Sequence, residues 1–341
     1  HGTGVKIVPQ SLHNYGFKNI LLVKEQCVND GDFPTVAHPN PEDPAALRMA
    51  IELAEREGAE LILATDPDAD RIAVGIRDNE GKIFLVNGNQ TCVLFTYYIL
   101  KRWSELGKLK GNEYVIKTVV TTAMMKAISD SFHVKSYNVL TGFKYIAEVI
   151  AANEGRSTYI CGGEESFGFL IGDFVRDKDA VTACSVFAEM AAWCKMNGTS
   201  VYNMLMDLYL EFGLYHDGLR NVVRKGITGA QEISDMMKNY RANPPQEIAG
   251  LNVVEIFDYL TSVHTNLVSG EKIAITIEKS NVLQFVLEDG SMVSVRPSGT
   301  EPKIKYYYGI KEPLCCREKY AEVRAVAQAK IYAIEKSLGL V

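Results

Sequence analysis

The chain has 341 residues, 47% of them hydrophobic and 23% charged, with a formal net charge of −6. At about 100–200 residues per domain this is two or three soluble globular domains, and the mild acidity, without a basic run or an aromatic-basic stripe, excludes nucleic acid as a partner. No apolar run reaches the roughly 18 residues of a transmembrane helix, and the scattered Cys27, Cys92, Cys161, Cys184, Cys194, Cys315 and Cys316 have neither C-x-x-C nor zinc-like spacing, so a cytoplasmic protein with reduced thiols and no membrane partner is expected.

Ser11 and His13 lie in a stretch of helical character without an activating loop and are expected on the surface. A short strand is predicted over Ile20 to Val23. A helix follows from Pro44, with Ala46, Met49, Ala50, Leu53 and Ala54 at three-to-four spacing and Gly58 as its stop. The apolar run from Leu61 reads as a strand that ends at Asp66. Further strands are expected over Ile72 to Ile76 and Ile83 to Val86, joined by the Asp78-Asn79-Glu80-Gly81 turn. Gly88-Asn89-Gln90 opens a second unit with an apolar helix, a strand over Tyr114 to Val120, a helix over Ala123 to Ser131 and a short run at Tyr137 to Leu140. The Thr141-Gly142-Phe143-Lys144 loop leads into another helix, then a strand over Thr158 to Cys161 and a long helix over Ala180 to Met196. The alternation implies a largely parallel sheet in both units. Beyond about Leu219 the pattern changes to a strand, a helix near Gln231 to Tyr240, alternating runs at Val282 to Leu287 and Met292 to Val295 around an Asp289-Gly290 turn, a strand from Lys303 and a final amphipathic helix. The fold class is α/β for two units, followed by an α+β tail.

Asp66-Pro67-Asp68-Ala69-Asp70-Arg71 carries the strongest chemical signal. In an extended loop, side chains at alternate positions project to one side, so three carboxylates can meet one cation while Arg71 stays free for an anion. The loop also follows an α-then-β unit at a strand's C-terminal end, where open α/β sheets place ligands. A calcium loop of the EF-hand kind needs Gly at its sixth position and Glu at its twelfth, where Arg71 and Arg77 stand. An aspartyl-nucleophile phosphatase would carry a small hydroxyl or β-branched residue in place of Asp70. The oxygen-only set favours Mg²⁺.

Three further segments stand out. Arg296-Pro297-Ser298-Gly299-Thr300-Glu301-Pro302, with Lys305 just beyond, combines a guanidinium, hydroxyls and a glycine, the donors a phosphate dianion takes; the same residues also suit an ordinary hairpin loop. In Gly162-Gly163-Glu164-Glu165-Ser166-Phe167-Gly168, Glu164 and Ser166 can face one polyol, or form a solvated acidic turn. Arg176-Asp177-Lys178-Asp179 reads on its own as a solvated charge run.

Together and in this order, the Asp66, Glu164 and Arg296 loops resemble the α-D-phosphohexomutase superfamily, the phosphoglucomutases and phosphomannomutases. His1-Gly2-Thr3-Gly4 is similar to a motif near the start of that family's second domain. The resemblance implies the last three of four domains: α/β over 1–86, α/β over 87–216, and a TATA-binding-protein-like α+β domain over 217–341. It implies Asp66, Asp68 and Asp70 as Mg²⁺ ligands, Arg71 at the reacting phosphoryl group and Lys178 as general acid or base. Glu164, Ser166, Thr141 and Gly142 would read the sugar, and Arg296, Ser298, Gly299, Thr300 and Lys305 the non-reacting phosphate. The insert from Asp32 to Pro44 and Gly88-Asn89-Gln90 are closer to the larger phosphoglucomutase and phosphopentomutase branch. Pro67 stands where many members have glycine.

The implied activity is reversible phosphoryl transfer between the 1- and 6-positions of a hexose phosphate, glucose or mannose, with a sugar 1,6-bisphosphate as activator of the full-length enzyme. The family's phosphoserine loop, of Thr-Ala-Ser-His-Asn-Pro type, does not occur in these 341 residues. The chain alone is therefore expected to fold and to bind Mg²⁺ and sugar phosphates without turnover. The rival readings are a Mg²⁺-dependent sugar phosphatase and a non-catalytic sugar-phosphate-binding module.

Overall fold

A computed structural model describes residues 1–224, 228–299 and 301–341, and the chain divides into two compact units, His1–Leu208 and Tyr209–Val341. The first begins with helix α1 (Gly4–Asn14) and α2 (Arg48–Glu57), the latter entered through a 3₁₀ turn at Pro44–Leu47 that Asp43 caps. Gly58 ends α2 in the left-handed conformation, φ 70°, that a residue with a Cβ adopts only at a cost. Strands β1 (Leu61–Thr65), β2 (Ile72–Arg77) and β3 (Ile83–Val86) then form a three-stranded sheet in sequence order. This sheet is antiparallel throughout, not parallel as the pattern suggested, because a short loop and a tight turn join its strands directly, without a crossover helix.

Helix α3 (Gly88–Glu105) starts on a reciprocal cap, Asn87 accepting from the Gln90 amide while the Gln90 side chain accepts from Asn87. There follow β4 (Glu113–Thr118), α4 (Met124–Ser131), β5 (Lys135–Val139), α5 (Phe143–Asn153), β6 (Thr158–Gly163) and β7 (Phe169–Ile171). The sheet order is β5-β4-β6-β7, parallel except for β7. Every residue of β4 is buried, as a central parallel strand covered on both faces requires. Tyr114, Ile116, Val139, Phe143, Ile146, Ile150, Tyr159 and Leu170 form one apolar cluster there. Helix α6 (Ala180–Met196) packs on α1, α3, β1, β2 and β7, which ties the two sheets of this unit together. Helix α7 (Val201–Phe212) leads out of it.

The second unit contains β8 (Leu214–Val223), α8 (Gly229–Ala242), β9 (Glu247–Ile248), β10 (Leu251–Asp258), β11 (Val263–Asn266), β12 (Lys272–Ala274), β13 (Leu283–Leu287), β14 (Met292–Pro297), β15 (Lys303–Glu312) and α9 (Tyr320–Ser337). Its antiparallel sheet runs β12-β11-β10-β13-β14-β15-β8, with β9 paired to β10. Phe285, Val293, Val295, Ile304, Tyr306 and Ile310 are buried with α8 and α9 residues in its core.

Two local expectations change. Residues 20–23 form no strand, and none of them pairs with a strand among the described residues. Ser11 is half-buried against α6, its hydroxyl 2.8 Å from that of Ser185, while His13 turns to the Phe17 carbonyl. All seven cysteines are free, and burial pushes the Cys161 thiol up to about 12 and Cys194 up to about 11, leaving both protonated at neutral pH. No helix among the described residues is long and apolar enough to cross a membrane.

Phe285 is fully buried and Val326, on α9, is 53% exposed. Phe285→Ala is expected to lower stability by about 3–5 kcal/mol, and Val326→Ala by less than about 0.5 kcal/mol, in urea unfolding followed by circular dichroism.

Candidate active site

Asp66, Asp68 and Asp70 each place a carboxylate oxygen within 4.8 Å of the others. The grouping does not come from an extended loop. The chain turns back on itself: the Ala69 amide donates to the Asp66 carbonyl at 3.1 Å, and Asp66 Oδ1 accepts from the amides of Asp70 and Arg71 at 3.1 and 3.0 Å. Ala69 takes a positive φ of 56°, uncommon for a residue with a Cβ, and the turn is held from outside. The Thr3 amide donates to the Pro67 carbonyl at 2.8 Å, and the Ala180 amide, at the start of α6, donates to the Ala69 carbonyl at 3.1 Å. A Cβ on Gly2 would come within 2.4 Å of the Pro67 carbonyl oxygen, so glycine is required where the chain crosses the loop.

Arg71 is not free. Its Nε donates to Asp66 Oδ2 at 2.8 Å, and Nη1 reaches Glu42 at 3.0 Å and Asn40 at 3.5 Å. Clustered carboxylates draw in the nearest cation. The same holds for Lys178, whose Nζ lies 2.9 Å from Asp70 Oδ2 and 3.0 Å from Asp177 Oδ1. Burial pushes the Asp66 carboxyl up, but hydrogen bonds and charge from Arg71 outweigh it and hold the group below its usual range. Burial, with the Asp66 charge beside it, raises Asp70 despite Lys178. For Lys178 burial works toward the neutral form, and the two aspartates reverse it, so the ammonium is held above its usual range. The Lys178 stem runs over Gly168, where a Cβ would lie 2.3 Å from Cδ.

The second loop, Glu164 to Gly168, is the hairpin between β6 and β7 and is joined to the first through the backbone. Arg71 and Gly168 form an antiparallel bridge, and the Ile72 amide donates to the Phe167 carbonyl at 3.1 Å. Glu164 Oε1 accepts from the Gly142 amide at 2.8 Å, which brings the Thr141-Gly142 loop to the same place. Gly142 has φ 120°, open only to glycine. Ser166 is half-buried beside Glu164, and Thr141 is likewise half-buried. Asp66, Asp68, Asp70, Arg71, Lys178, Glu164, Ser166, Thr141 and Gly142 thus gather within one compact unit.

Several contributors escaped the sequence reading. Asn40 and Glu42 hold Arg71 from a segment noted only for its length. Gly88 opens α3 directly under the hairpin, where a Cβ would come within 2.0 Å of the Glu165 carbonyl oxygen. Lys117 is 4% exposed, and its ammonium donates to the Thr118 and Thr121 carbonyls at 2.8 Å each, while both threonine hydroxyls approach Glu165 at 3.4 Å. A lysine inside an apolar strand pattern was the available signal.

In the second unit Arg296 on β14 lies directly opposite Lys305 on β15. Like charges directly opposite each other across an antiparallel pair repel, and Lys305 lies near enough to Glu301 for the two charges to attract. The Ser298 amide closes the loop onto the Lys303 carbonyl at 2.8 Å, Gly299 is exposed, and Thr300 lies outside the described residues.

Three family models match in succession: phosphoglucomutase/phosphomannomutase alpha/beta/alpha domain II over residues 1–81, domain III over 87–212 and the C-terminal domain over 236–312. A phosphoglucomutase of Staphylococcus aureus strain N315 is 39% identical over 313 residues, covering 92% of this chain and 56% of the relative. That of strain MSSA476 is 39% identical over 311 residues, covering 91% and 55%. The chain thus spans about half the length of the curated relatives it matches. Among solved structures, the open form of the exocytosis-sensitive phosphoprotein pp63/parafusin of Paramecium aligns with a TM-score of 0.65 at 20% identity, over 96% of this chain and 56% of that one. A phosphoglucomutase/phosphomannomutase family protein of Burkholderia thailandensis aligns at 0.59 and 17%, over 91% and 54%. At such identities these two establish the fold alone. With the sequence match and the three domain models, they show that the chain belongs to the phosphoglucomutase/phosphomannomutase family of the α-D-phosphohexomutase superfamily.

Proposed function

We propose that the chain supplies the metal, sugar and phosphate sites of a Mg²⁺-dependent phosphohexose mutase that moves a phosphoryl group between the 1- and 6-positions of a hexose phosphate. The observation that carries this is the union of the Asp66 cluster with a protonated lysine and the Glu164 hairpin by direct hydrogen bonds. Three carboxylates and no nitrogen or sulfur donor suit Mg²⁺, and Asp66, Asp68 and Asp70 would hold it. When bound, Mg²⁺ neutralises charge on the transferring phosphoryl group.

Arg71, already oriented by Asp66 and Glu42, presents its guanidinium to phosphoryl oxygens. Lys178 holds its proton at Nζ at neutral pH and can deliver it to a sugar oxygen as the bond to phosphorus breaks, or take it back in reverse. Glu164 and Ser166 accept and donate to sugar hydroxyls, and the Thr141-Gly142 loop, fixed by Glu164, bounds the ring. Arg296, Ser298, Gly299, Thr300 and Lys305 grip the phosphate that is not reacting. The cross-strand pairing of two cations supports this role. We take the three family domains as 1–86, 87–216 and 217–341. The phosphoserine that exchanges the group is placed outside these residues, so the chain alone binds without turning over.

Isothermal titration with Mg²⁺ is expected to show one site, weakened at least about tenfold by Asp68→Asn, since even outer-shell changes at metal sites cost that much. Arg296→Ala with Lys305→Ala should weaken glucose 6-phosphate binding by about tenfold or more, with a smaller effect at high salt, as expected for charged contacts to phosphate. In a coupled assay of glucose 1-phosphate to 6-phosphate conversion, with and without a 1,6-bisphosphate, the chain alone should show no turnover. Robust conversion would overturn the placement of the phosphoserine, and phosphate release without isomerisation would favour a phosphatase.

A further inference from the structure

Cys315 and Cys316 sit side by side in the connection from β15 to α9, apart from the residues gathered above. Their Sγ atoms lie 3.9 Å apart, with Cys315 exposed and Cys316 half-buried. The backbone on either side is held. Leu314 is buried, and the Lys319 amide, in the 3₁₀ turn that leads into α9, donates to the Cys316 carbonyl at 3.2 Å. The two sulfurs are therefore kept as neighbours at the surface. Cys92, Cys161, Cys184 and Cys194, by contrast, are buried, and burial holds their thiols above the usual range, out of reach of oxidants and protonated. Among the described residues no third His, Cys, Asp or Glu donor closes on both surface sulfurs, which leaves the pair short of the four ligands of a structural zinc site.

A solvent-facing thiol with a second thiol in contact is set up for oxidation. We infer that Cys315 and Cys316 form a reversible two-electron oxidation site, at which a peroxide converts the pair into a disulfide between adjacent residues. The Cys315 thiolate attacks a peroxide oxygen and the O–O bond breaks, giving a sulfenic acid and hydroxide. The Cys316 thiolate then attacks the Cys315 sulfur, the S–O bond breaks and a second hydroxide leaves. The two thiol protons turn both hydroxides into water, so the sulfurs together lose the two electrons that the peroxide gains. Exposure makes Cys315 the residue attacked first. The Cys316 thiol donates to the Glu318 carboxylate, which holds it above its usual range and places it second. The peptide bond between the two is trans, which sets their α-carbons about 3.8 Å apart, below the roughly 4.4–6.8 Å of ordinary disulfides. The bond is consequently strained and readily reduced, suited to a site that resets rather than to a permanent brace. The inference is independent of the metal and phosphate assignments.

The test treats the folded 341-residue chain with stoichiometric hydrogen peroxide, alkylates the remaining thiols in acid and weighs the tryptic peptide 312–317. That peptide should lose two hydrogens and escape alkylation, and a dithiol reductant should restore both thiols. In Cys316→Ser the same peptide should instead gain oxygen at Cys315, since no second thiol is in contact to resolve the sulfenic acid. Added oxygen without loss of hydrogen in the unaltered chain would overturn the proposal, as would a disulfide joining two chains. Oxidation of Cys27 with peptide 312–317 unchanged would overturn it as well.

Discussion

The candidate site in the first unit depends on how the fold bears the repulsion of three carboxylates confined within 4.8 Å. Two unit charges at that distance repel by roughly 3–4 kcal/mol at an effective dielectric constant near 20. The fold offsets this locally, with two backbone amides and a guanidinium on Asp66 and an ammonium on Asp70. Those groups also suit the phosphoryl-transfer centre proposed for this unit. A divalent cation would complete the same neutralisation.

That arrangement depends on backbone contacts that only small residues allow. Gly2 lets the N-terminal segment cross Pro67, Gly88 lets α3 begin under the Glu165 carbonyl, and Gly168 makes room for the Lys178 stem. The bridge between Arg71 and Gly168 fixes the Asp66–Arg71 loop against the Glu164–Gly168 hairpin, and the bond from Ala180 to Ala69 fixes it against α6. Such main-chain ties hold position better than mobile side chains, as a site that must place a reacting group within a fraction of an ångström requires.

The candidate residues stood out because their chemistry is local in sequence: an Asp-x-Asp-x-Asp run and a Gly-flanked acidic hairpin in the first unit, and an Arg with hydroxyls and glycine in the second. Helix α6 was equally clear, since a long apolar pattern bounded by a charge run leaves little choice. What sequence could not give was pairing. Strands β1, β2 and β3 look alike whether parallel or antiparallel, and only the short joins between them decide. The engagement of Arg71 by Asn40 and Glu42 depends on a long-range contact without local signature. Residues 20–23 have strand composition but pair with no strand among the described residues, and propensity alone does not supply a neighbour.

The central claim is that the Asp66, Asp68 and Asp70 cluster is a divalent-metal centre. Anomalous scattering from crystals soaked in Mn²⁺, a hard cation that takes the same oxygen ligands, tests it most directly. The account predicts a single strong peak bounded by these three carboxylates. Full occupancy elsewhere in the chain with none at the cluster would contradict it.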